Sequence, residues 1–553
     1  MLTGLVQETP TDATAQALLG ELLAEADAAE FCRWHRALPD SVRDDPEIHF
    51  VEGLWARRQN QPAVAANRFL TVIRRVPEHR RAMMQLASVL ELQNHPATTV
   101  VRQRADALSQ LSQAVDTFLS ATGDNNHPAQ RVAVGMEDMG RLWESCGWAF
   151  YARQQQTTTV WTSEILNRLT PLLQDTLPQT QPTAQLAARI DASGFAEWTT
   201  AEALLREPIN SSEGPATTTA APTGIVRFEE IDAGVEFTYF NGDDPTTPGV
   251  RMFEQTGGGV AVPDIDLDGY PDIVFTQGST WPTGQSEPLF DDAHRDQFLR
   301  NRRGTRFQNA TDILDLPDNG FGQGCAATDF DNDGFPDLYI ANVGRNQLLR
   351  NMGDGTFLDW SDPAEIHGQK WTTSVAAADL NGDGYPDLFD VNYVQGNDVY
   401  EMICGGKGCS PAVFSGTPDE VLLSDGAGRF HQIDDAVPTI DSKGLGVVVF
   451  RTGLNTSPSL FIANDQVANF FLRTEHDQTG KFTLANDALL AGLAYNEDGV
   501  SMACMGIAID DANGDGLPDL FVTNFKDEPN TLYSQQQDGL FLDITRMTGL
   551  KAP

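Results

Sequence analysis

Four copies of one nine-residue pattern constrain the fold of this 553-residue chain more than any other feature. Each copy reads D-x-[DN]-x-D-G-x-P-D and is followed by an apolar run, and the copies begin at Asp264, Asp329, Asp379 and Asp511. So many acidic side chains in nine residues repel one another unless a cation neutralises them. The glycine at position 6 supplies a left-handed turn that bends the chain around such a cation. Each copy therefore predicts a metal-binding loop.

The predicted ligands are the side chains at positions 1, 3, 5 and 9 of each copy and the backbone carbonyl at position 7. In the order of the chain they are Asp264, Asp266, Asp268, Tyr270 and Asp272; Asp329, Asp331, Asp333, Phe335 and Asp337; Asp379, Asn381, Asp383, Tyr385 and Asp387; and Asp511, Asn513, Asp515, Leu517 and Asp519. An oxygen-only set of this size suits Ca²⁺ better than Mg²⁺, which keeps its waters, or Zn²⁺, which prefers His and Cys. The sequence predicts about four calcium sites, and an acidic turn without metal is the alternative.

An EF-hand loop opens in the same way, but it needs a bidentate Glu at position 12 and a helix on either side. Position 12 is Phe275, Ile340, Asp390 or Val522 in the four copies, and the residues that follow position 9 form β-type runs such as Leu338-Tyr-Ile. The pattern therefore excludes an EF-hand. A fifth copy, Arg451–Ser459, has lost the acidic residues, and it is predicted to hold no calcium.

The spacing of the copies indicates a β-propeller. Counting the fifth copy, the loops begin 65, 50, 72 and 60 residues apart. Each unit has a small-residue strand before the loop, a strand after it, a third strand, and a fourth strand centred on phenylalanine. These phenylalanines are Phe307, Phe357, Phe430, Phe482 and Phe541. Repeated four-stranded units of this length are typical of propeller blades.

The five units are expected to form an incomplete ring. Each already has its own fourth strand, whereas a further strand-like segment, Ile225–Ile231, stands alone before the first loop. Because propellers often close by pairing an N-terminal strand into the last blade, this segment predicts partners beyond Pro553.

The N-terminal part has a different character. Apolar residues recur at helical spacing through residues 1–206, and Pro46–His79 has the 34-residue length of a tetratricopeptide repeat. Within that unit the small residues Gly53 and Ala65 are expected to let two antiparallel helices approach closely, with Phe69 filling the gap between them and Pro77 ending the second helix. The predicted domains are a helical, tetratricopeptide-like region (1–206), a Pro/Thr/Ser/Ala linker (207–224) and the propeller (225–553). A generic helical bundle is the alternative for the first.

The propeller segment resembles FG-GAP/VCBS repeats. The resemblance rests on Gly320–Gly334, Leu349–Phe357 and Phe461–Asn469, and it is nearest to bacterial relatives of the cartilage acidic protein, the ASPIC/UnbV group. It implies an integrin-α-like propeller with Ca²⁺ in blade loops, upstream tetratricopeptide repeats and a location outside the cytoplasm. Propellers of this type usually have seven blades. The chain departs from the group because no ASPIC/UnbV domain is recognisable after the last repeat.

Composition limits the functional classes. The net charge of −41 excludes a general nucleic-acid binder, and no apolar run approaches the length of a membrane span. No signal peptide is visible at Met1–Glu8, so either the chain is cytoplasmic or its export signal is absent from this sequence. Cys404 and Cys409 could form a disulfide, stay as free thiols or bind a metal.

No catalytic motif is evident in the sequence. We therefore interpret the chain as a non-catalytic, calcium-stabilised interaction or adhesion scaffold. Its partner would be a protein bound by the helical repeats or by a propeller face, or else a glycan. The alternatives are a biosynthetic accessory enzyme of the UnbV type and a polysaccharide-acting propeller.

Overall fold

Helices occupy the first part of the chain and strands the second, as the sequence predicts. We analysed a computed structural model, which describes residue 6, residues 9–204 and residues 233–550. Short gaps within these ranges fall at 27, 121–125, 155–159, 175, 182–183, 244–248, 286, 290–292, 315–319, 397, 406–407, 434–435, 438–441, 454–456 and 477–481. The predicted linker 207–224 and the strand-like segment Ile225–Ile231 lie outside the described residues.

The chain divides into two units. The first comprises Met1–Gly224 with Leu489–Val500, and the second comprises Ile225–Ala488 with Ser501–Pro553. In the first unit the Tyr495 hydroxyl lies 3.5 Å from Oδ1 of Asp106. Burial raises the pKa of Asp106 to about 6.

The first unit is a succession of helices in which each described helix packs against the next. Their bounds are α1 Ala13–Ala26, α2 Ala28–Ala37, α3 Pro46–Arg58, α4 Pro62–Arg75, α5 Arg80–Leu92, α6 Thr98–Ser120, α7 Asn126–Asp138, α8 Leu142–Gln154 and α9 Val160–Leu169. Short 3₁₀ helices follow at Thr170–Leu172, Leu186–Arg189 and Glu202–Leu204. Among the described helices, none combines the length and the apolar character that crossing a membrane would require.

The pair α3 and α4 shows why this sequence forms antiparallel helices. The Asp45 side chain caps α3 by accepting a hydrogen bond from the Glu47 N–H at 2.9 Å, and Pro46 stands in the first turn. At the contact, a Cβ on Gly53 would lie 2.5 Å from Cε1 of the buried Phe69 ring, so only glycine fits there. The close approach predicted at these two residues is present. Whether the array is a tetratricopeptide type stays a prediction.

The second unit is a five-bladed β-propeller built from four-stranded antiparallel sheets. Blade 1 is β1 Val260–Ala261, β2 Ile273–Phe275, β3 Gln297–Asn301 and β4 Phe307–Asn309; blade 2 is β5 Gly322–Thr328, β6 Asp337–Asn342, β7 Gln347–Asn351 and β8 Phe357–Asp359; blade 3 is β9 Thr372–Ala378, β10 Asp387–Asn392, β13 Glu420–Ser424 and β14 Phe430–Gln432; blade 4 is β15 Gly444–Phe450, β16 Ser459–Asn464, β17 Phe470–His476 and β18 Phe482–Asn486; blade 5 is β19 Cys504–Asp510, β20 Asp519–Asn524, β21 Thr531–Gln535 and β22 Phe541–Asp543. Each predicted phenylalanine opens the fourth strand of its blade, so the five-unit prediction is confirmed.

The strands of a blade differ in how deeply they are buried. The second strands β6, β10 and β16 are buried along their whole length, whereas the fourth strands are partly exposed. Apolar side chains from neighbouring blades meet between the sheets, for example Tyr339 and Leu348 of blade 2 with Leu388 of blade 3. The hydrophobic cores of the propeller therefore lie between blades rather than within one sheet.

The first strands of successive blades, from β1 to β19, pack against one another in chain order. No hydrogen-bonded strand pair among the described residues links one blade to another. The incomplete-ring prediction depends on Ile225–Ile231, which is not described, and it stays a prediction.

Blade 3 carries an insertion between its second and third strands. It contains the two-stranded sheet β11 Val394–Gln395 and β12 Ser415–Gly416, and a 3₁₀ helix at Pro411–Val413. Cys404 and Cys409 form a disulfide within it, which corresponds to the first of the three alternatives. The remaining short elements are the 3₁₀ helix Met252–Gln255 and α10 Thr311–Leu314 in the second unit, and α11 Ala488–Ala491, of which residues 489–491 belong to the first unit.

Candidate metal sites

All four acidic loops occupy the same place in their blades. Each joins the first strand to the second: β1 to β2, β5 to β6, β9 to β10, and β19 to β20. Because the blades share one topology, the loops emerge at the same end of the sheets. The sequence repeat therefore corresponds to a repeated position in the fold.

The carboxylate at position 1 bends each loop. Asp329 accepts hydrogen bonds from the backbone N–H of Asp333 at 3.0 Å and of Gly334 at 2.9 Å. The glycine at position 6 has a positive φ in every loop, 95° at Gly334 for example. Asp264, Asp379 and Asp511 make the same pair of bonds in their own loops. Position 1 thus shapes the loop through backbone hydrogen bonds, and the left-handed turn predicted at the glycine is present.

The side chains at positions 1, 3 and 5 converge in the first two loops. Carboxylate oxygens of Asp264, Asp266 and Asp268 lie within 4.8 Å of one another, and so do those of Asp329, Asp331 and Asp333. In the other two loops position 3 is an asparagine. The amide of Asn381 donates to Oδ2 of Asp383 at 2.9 Å, and that of Asn513 donates to Oγ of Ser534 at 3.1 Å. Two of the four loops therefore contain a carboxylate triad.

The triads fit a divalent cation on two observations. Both oxygens of Asp266 are buried, and neither accepts a hydrogen bond of normal geometry from a described residue, although the Arg300 guanidinium pairs with Oδ2. Burial, with the charges of Asp333 and Asp329, raises the pKa of Asp331, although Arg350 opposes the shift. Crowded, partly buried carboxylates are what a hard cation with oxygen ligands would neutralise.

Two arginines form ion pairs with the triads, and the sequence did not predict these pairs. Arg350 lies in β7, where its Nε is 2.6 Å from Oδ2 of Asp331 and its NH2 is 3.3 Å from Oδ2 of Asp333. Arg300 holds the same position in β3 and pairs with Asp266. Where position 3 is Asn, the equivalent third-strand residue is Leu423 or Ser534. Counting positions 1, 3 and 5 with this residue, all four loops have a formal charge of −2.

Position 9 has a structural role in each loop. Asp337 is fully buried, and its two oxygens accept the N–H of Phe330 at 3.0 Å and of Asn351 at 2.8 Å. These bonds fasten the loop to the third strand of the blade. Asp272, Asp387 and Asp519 do the same. Burial raises the pKa of Asp337 to about 7 and those of Asp272 and Asp387 to about 6. Metal binding by position 9, and by the carbonyls at position 7, stays a prediction.

The fifth, degenerate copy leads into β16 of blade 4. Ser459 at its position 9 is buried, whereas Arg451 at position 1 is exposed. Asn455 at position 5 lies outside the described residues. In the third strand Arg473, the counterpart of Arg350, pairs with Asp487 at 3.0 Å instead of with a loop carboxylate. The described part of this copy contributes no carboxylate triad.

Exchanging Arg350 for Leu, the residue that loop 3 has at this place, is expected to raise the Ca²⁺ affinity of loop 2. A unit charge acting on a doubly charged ion across a few ångströms contributes about 1–2 kcal/mol even in water, or roughly tenfold in affinity. Calorimetric Ca²⁺ titration of the full chain measures this effect. Asp331→Asn combined with Arg350→Leu restores the charge of −2 and should return the affinity to near the wild-type value. A weaker site in Arg350→Leu alone would contradict the charge argument.

Comparison with known proteins supports the repeat assignment. Residues 264–340 and 329–389 match the family model described as FG-GAP-like repeat. These stretches contain the first three acidic loops and most of blades 1 and 2. FG-GAP-like repeats on a five-bladed propeller are therefore supported. A search of curated proteins gave no significant match.

Several solved structures have a distant likeness to the chain. A lectin from Agrocybe aegerita that recognises non-reducing terminal N-acetylglucosamine has 16% identity and a TM-score of 0.31, over 51% of this chain and 64% of the lectin. The V. cholerae biofilm matrix protein Bap1 has 11% identity and a TM-score of 0.25, over 54% of this chain and 41% of Bap1. The periplasmic gluconolactonase PpgL of Pseudomonas aeruginosa has 14% identity and a TM-score of 0.25, over 51% of this chain and 83% of the enzyme. The chain thus spans less than two thirds of the first two, and scores this low do not transfer a function.

Proposed function

We propose that this chain is a non-catalytic interaction scaffold whose propeller is stabilised by Ca²⁺ in four blade loops. The observation that carries the proposal is the convergence of positions 1, 3 and 5 in the Asp264 and Asp329 loops. The loops that begin at Asp379 and Asp511 have the same formal charge of −2, and the proposal therefore includes them. A doubly charged ion would balance each of them.

In this proposal the side chains at positions 1, 3 and 5 hold the ion, together with position 9 and the carbonyl at position 7. The chemistry that Ca²⁺ supplies is charge neutralisation, which allows crowded carboxylates to remain ionised. Position 9 already fastens each loop to the third strand of its blade. If Ca²⁺ holds the loop in place, it also holds the third strand of the blade, and with it the surface that a partner would bind.

An exposed aromatic face on α8 supports protein binding by the helical region. Trp143, Phe150 and Tyr151 are 41%, 47% and 40% exposed. Their spacing of seven and eight residues places them on one side of the helix. Apolar groups clustered on a surface are typical of interaction sites. A propeller face that binds a protein or a glycan is the second route to a partner.

We further propose a location outside the cytoplasm. The disulfide between Cys404 and Cys409 supports it, because disulfides persist in oxidising compartments. Calcium sites of the affinity expected for extracellular modules would also be filled there. Membership in the ASPIC/UnbV group and the tetratricopeptide character of the helices belong to this proposal as predictions.

Affinity capture with the full chain as bait tests the scaffold proposal. Capture from an extracellular extract with Ca²⁺ present is expected to give a partner that Trp143→Ser loses. A matched substitution of an exposed propeller residue, Phe525→Ser, should keep that partner. If only the Phe525→Ser variant loses the partner, the binding surface lies on the propeller instead. A partner set that neither variant nor a chelator changes would contradict a calcium-stabilised scaffold.

A further inference from the structure

A small cavity lies in the propeller at the contact of blades 2 and 3, away from the acidic loops. Its volume is about 260 Å³. Its walls come from the connection Glu365–Gly368, from Asp390 in β10, from Glu420 in β13 and from the fourth strand Phe430–Gln432. Nothing in the loop repeat predicts a cavity here.

Asp390 forms the buried end of this cavity. The residue is 2% exposed, and its Oδ2 accepts hydrogen bonds from the Tyr339 hydroxyl at 3.1 Å and from Nδ2 of Asn346 at 2.9 Å. Its Oδ1 is also buried and has no hydrogen-bond partner among the described residues. A buried acceptor without a donor is costly, and native structures contain few of them. Oδ1 of Asp390 can therefore accept a hydrogen bond from a donor that enters the cavity.

Glu420 supplies a second carboxylate on the same wall. It stands directly opposite Asp390 in the pairing of β10 with β13. Its Oε1 receives the Lys370 ammonium at 3.0 Å and the Gln432 amide at 2.6 Å. Its Oε2 lies beside Gly368, where a Cβ would be 3.6 Å away. Lys370 thus balances one of two inner carboxylates, and Glu365 adds a further negative charge at the wall.

The charge and the geometry together favour an organic cation over a metal ion. The carboxylate triads that converge closely enough for a metal, in the described part of the chain, are in the loops that begin at Asp264 and Asp329. A protonated amine instead carries three N–H donors and one positive charge. Burial raises the pKa of Asp390 to about 7, with the charge of Glu420 adding to the shift, and a bound cation would favour the ionised form.

We infer that this cavity binds the ammonium group of a small primary amine, with Oδ1 of Asp390 as its innermost acceptor and Glu420 as the second carboxylate. The volume suits a ligand of a few carbon atoms, and the side chains of Ile366 and Leu422 supply apolar wall beside the charges. The inference does not depend on the calcium loops or on the identity of a protein partner.

Calorimetry with n-butylamine and n-butanol on the calcium-saturated full chain at pH 8 tests the inference. The amine is expected to bind saturably, and the alcohol, which has the same chain without the charge, at least tenfold more weakly. Asp390→Asn should weaken amine binding about 10- to 100-fold, as expected for a hydrogen bond between charged groups.

The matched control is Asp419→Asn. Asp419 is another buried carboxylate of blade 3, but its Oδ1 accepts the Asn392 N–H at 2.9 Å and it does not line the cavity. Its substitution should leave amine affinity unchanged. If Asp390→Asn fails to fold, Glu420→Gln replaces it and should weaken binding at least threefold. Equal binding of alcohol and amine, unchanged affinity in the variant used, or no saturable amine binding would each overturn the inference.

Discussion

Removing calcium from the full chain is expected to lower the melting temperature of the propeller by roughly 10 °C. Extracellular calcium modules have dissociation constants of roughly 10⁻⁴–10⁻³ M. At tenfold excess over such a constant each site adds about 1.4 kcal/mol to the free energy of unfolding, so four sites add about 6 kcal/mol. For a domain of this size that corresponds to a shift of roughly 10 °C. Differential scanning calorimetry with Ca²⁺ and with chelator measures it.

Two controls make the result specific. The acidic loops all belong to the second unit, so the transition of the helical first unit should keep its midpoint. Mg²⁺ at the same concentration should restore little of the loss, because it gives up its waters reluctantly. Identical midpoints for the propeller with Ca²⁺ and with chelator would contradict stabilisation by calcium.

The Asp333→Asn substitution is expected to destabilise the propeller when Ca²⁺ is present but not when Ca²⁺ is removed by a chelator. Asp333 is position 5 of loop 2, and its Oδ1 accepts the Phe335 N–H at 3.0 Å, a bond that an asparagine oxygen can also accept. The substitution therefore removes charge and leaves the turn intact. With Ca²⁺ present the variant should lose about 1–3 kcal/mol, because a ligand of the ion is weakened.

In chelator the same variant should be as stable as the wild type or more stable. Without an ion, Asp329, Asp331 and Asp333 repel one another within 4.8 Å, and removing one charge relieves that repulsion. Chemical denaturation of the full chain under both conditions gives the two values. Destabilisation of equal size with and without Ca²⁺ would mean that Asp333 acts only through the turn and through Arg350.

The sequence predicted the blades well because their signals are local. The glycines at position 6 have φ values from 85° to 95°, which other residues rarely adopt, and the phenylalanines recur just after each third strand. Both signals can be recognised in the sequence without knowledge of the fold. The disulfide between Cys404 and Cys409 was one of three alternatives, and proximity in sequence favoured it. In the first two loops the carboxylates at positions 1, 3 and 5 converge because they belong to one short turn.

The rest could not be predicted because it depends on residues far apart in the chain. Arg350 reaches Asp331 only because the third strand pairs with the second, and Asp337 reaches Asn351 for the same reason. In the helical unit, the buried Glu52 of α3 accepts a hydrogen bond at 2.8 Å from His35 of α2, which is 17 residues away in the chain. No spacing rule in one sequence identifies such partners.

Direct counting of bound calcium tests the central claim most directly. The full chain, stripped with chelator and dialysed against Ca²⁺ at about 10 mM, roughly tenfold above the weaker limit of the expected dissociation constants, is analysed for metal and for protein. The account predicts about four Ca²⁺ per chain, and about three in a variant with Asp329→Ala and Asp333→Ala. Fewer than one Ca²⁺ per chain under these conditions would contradict it.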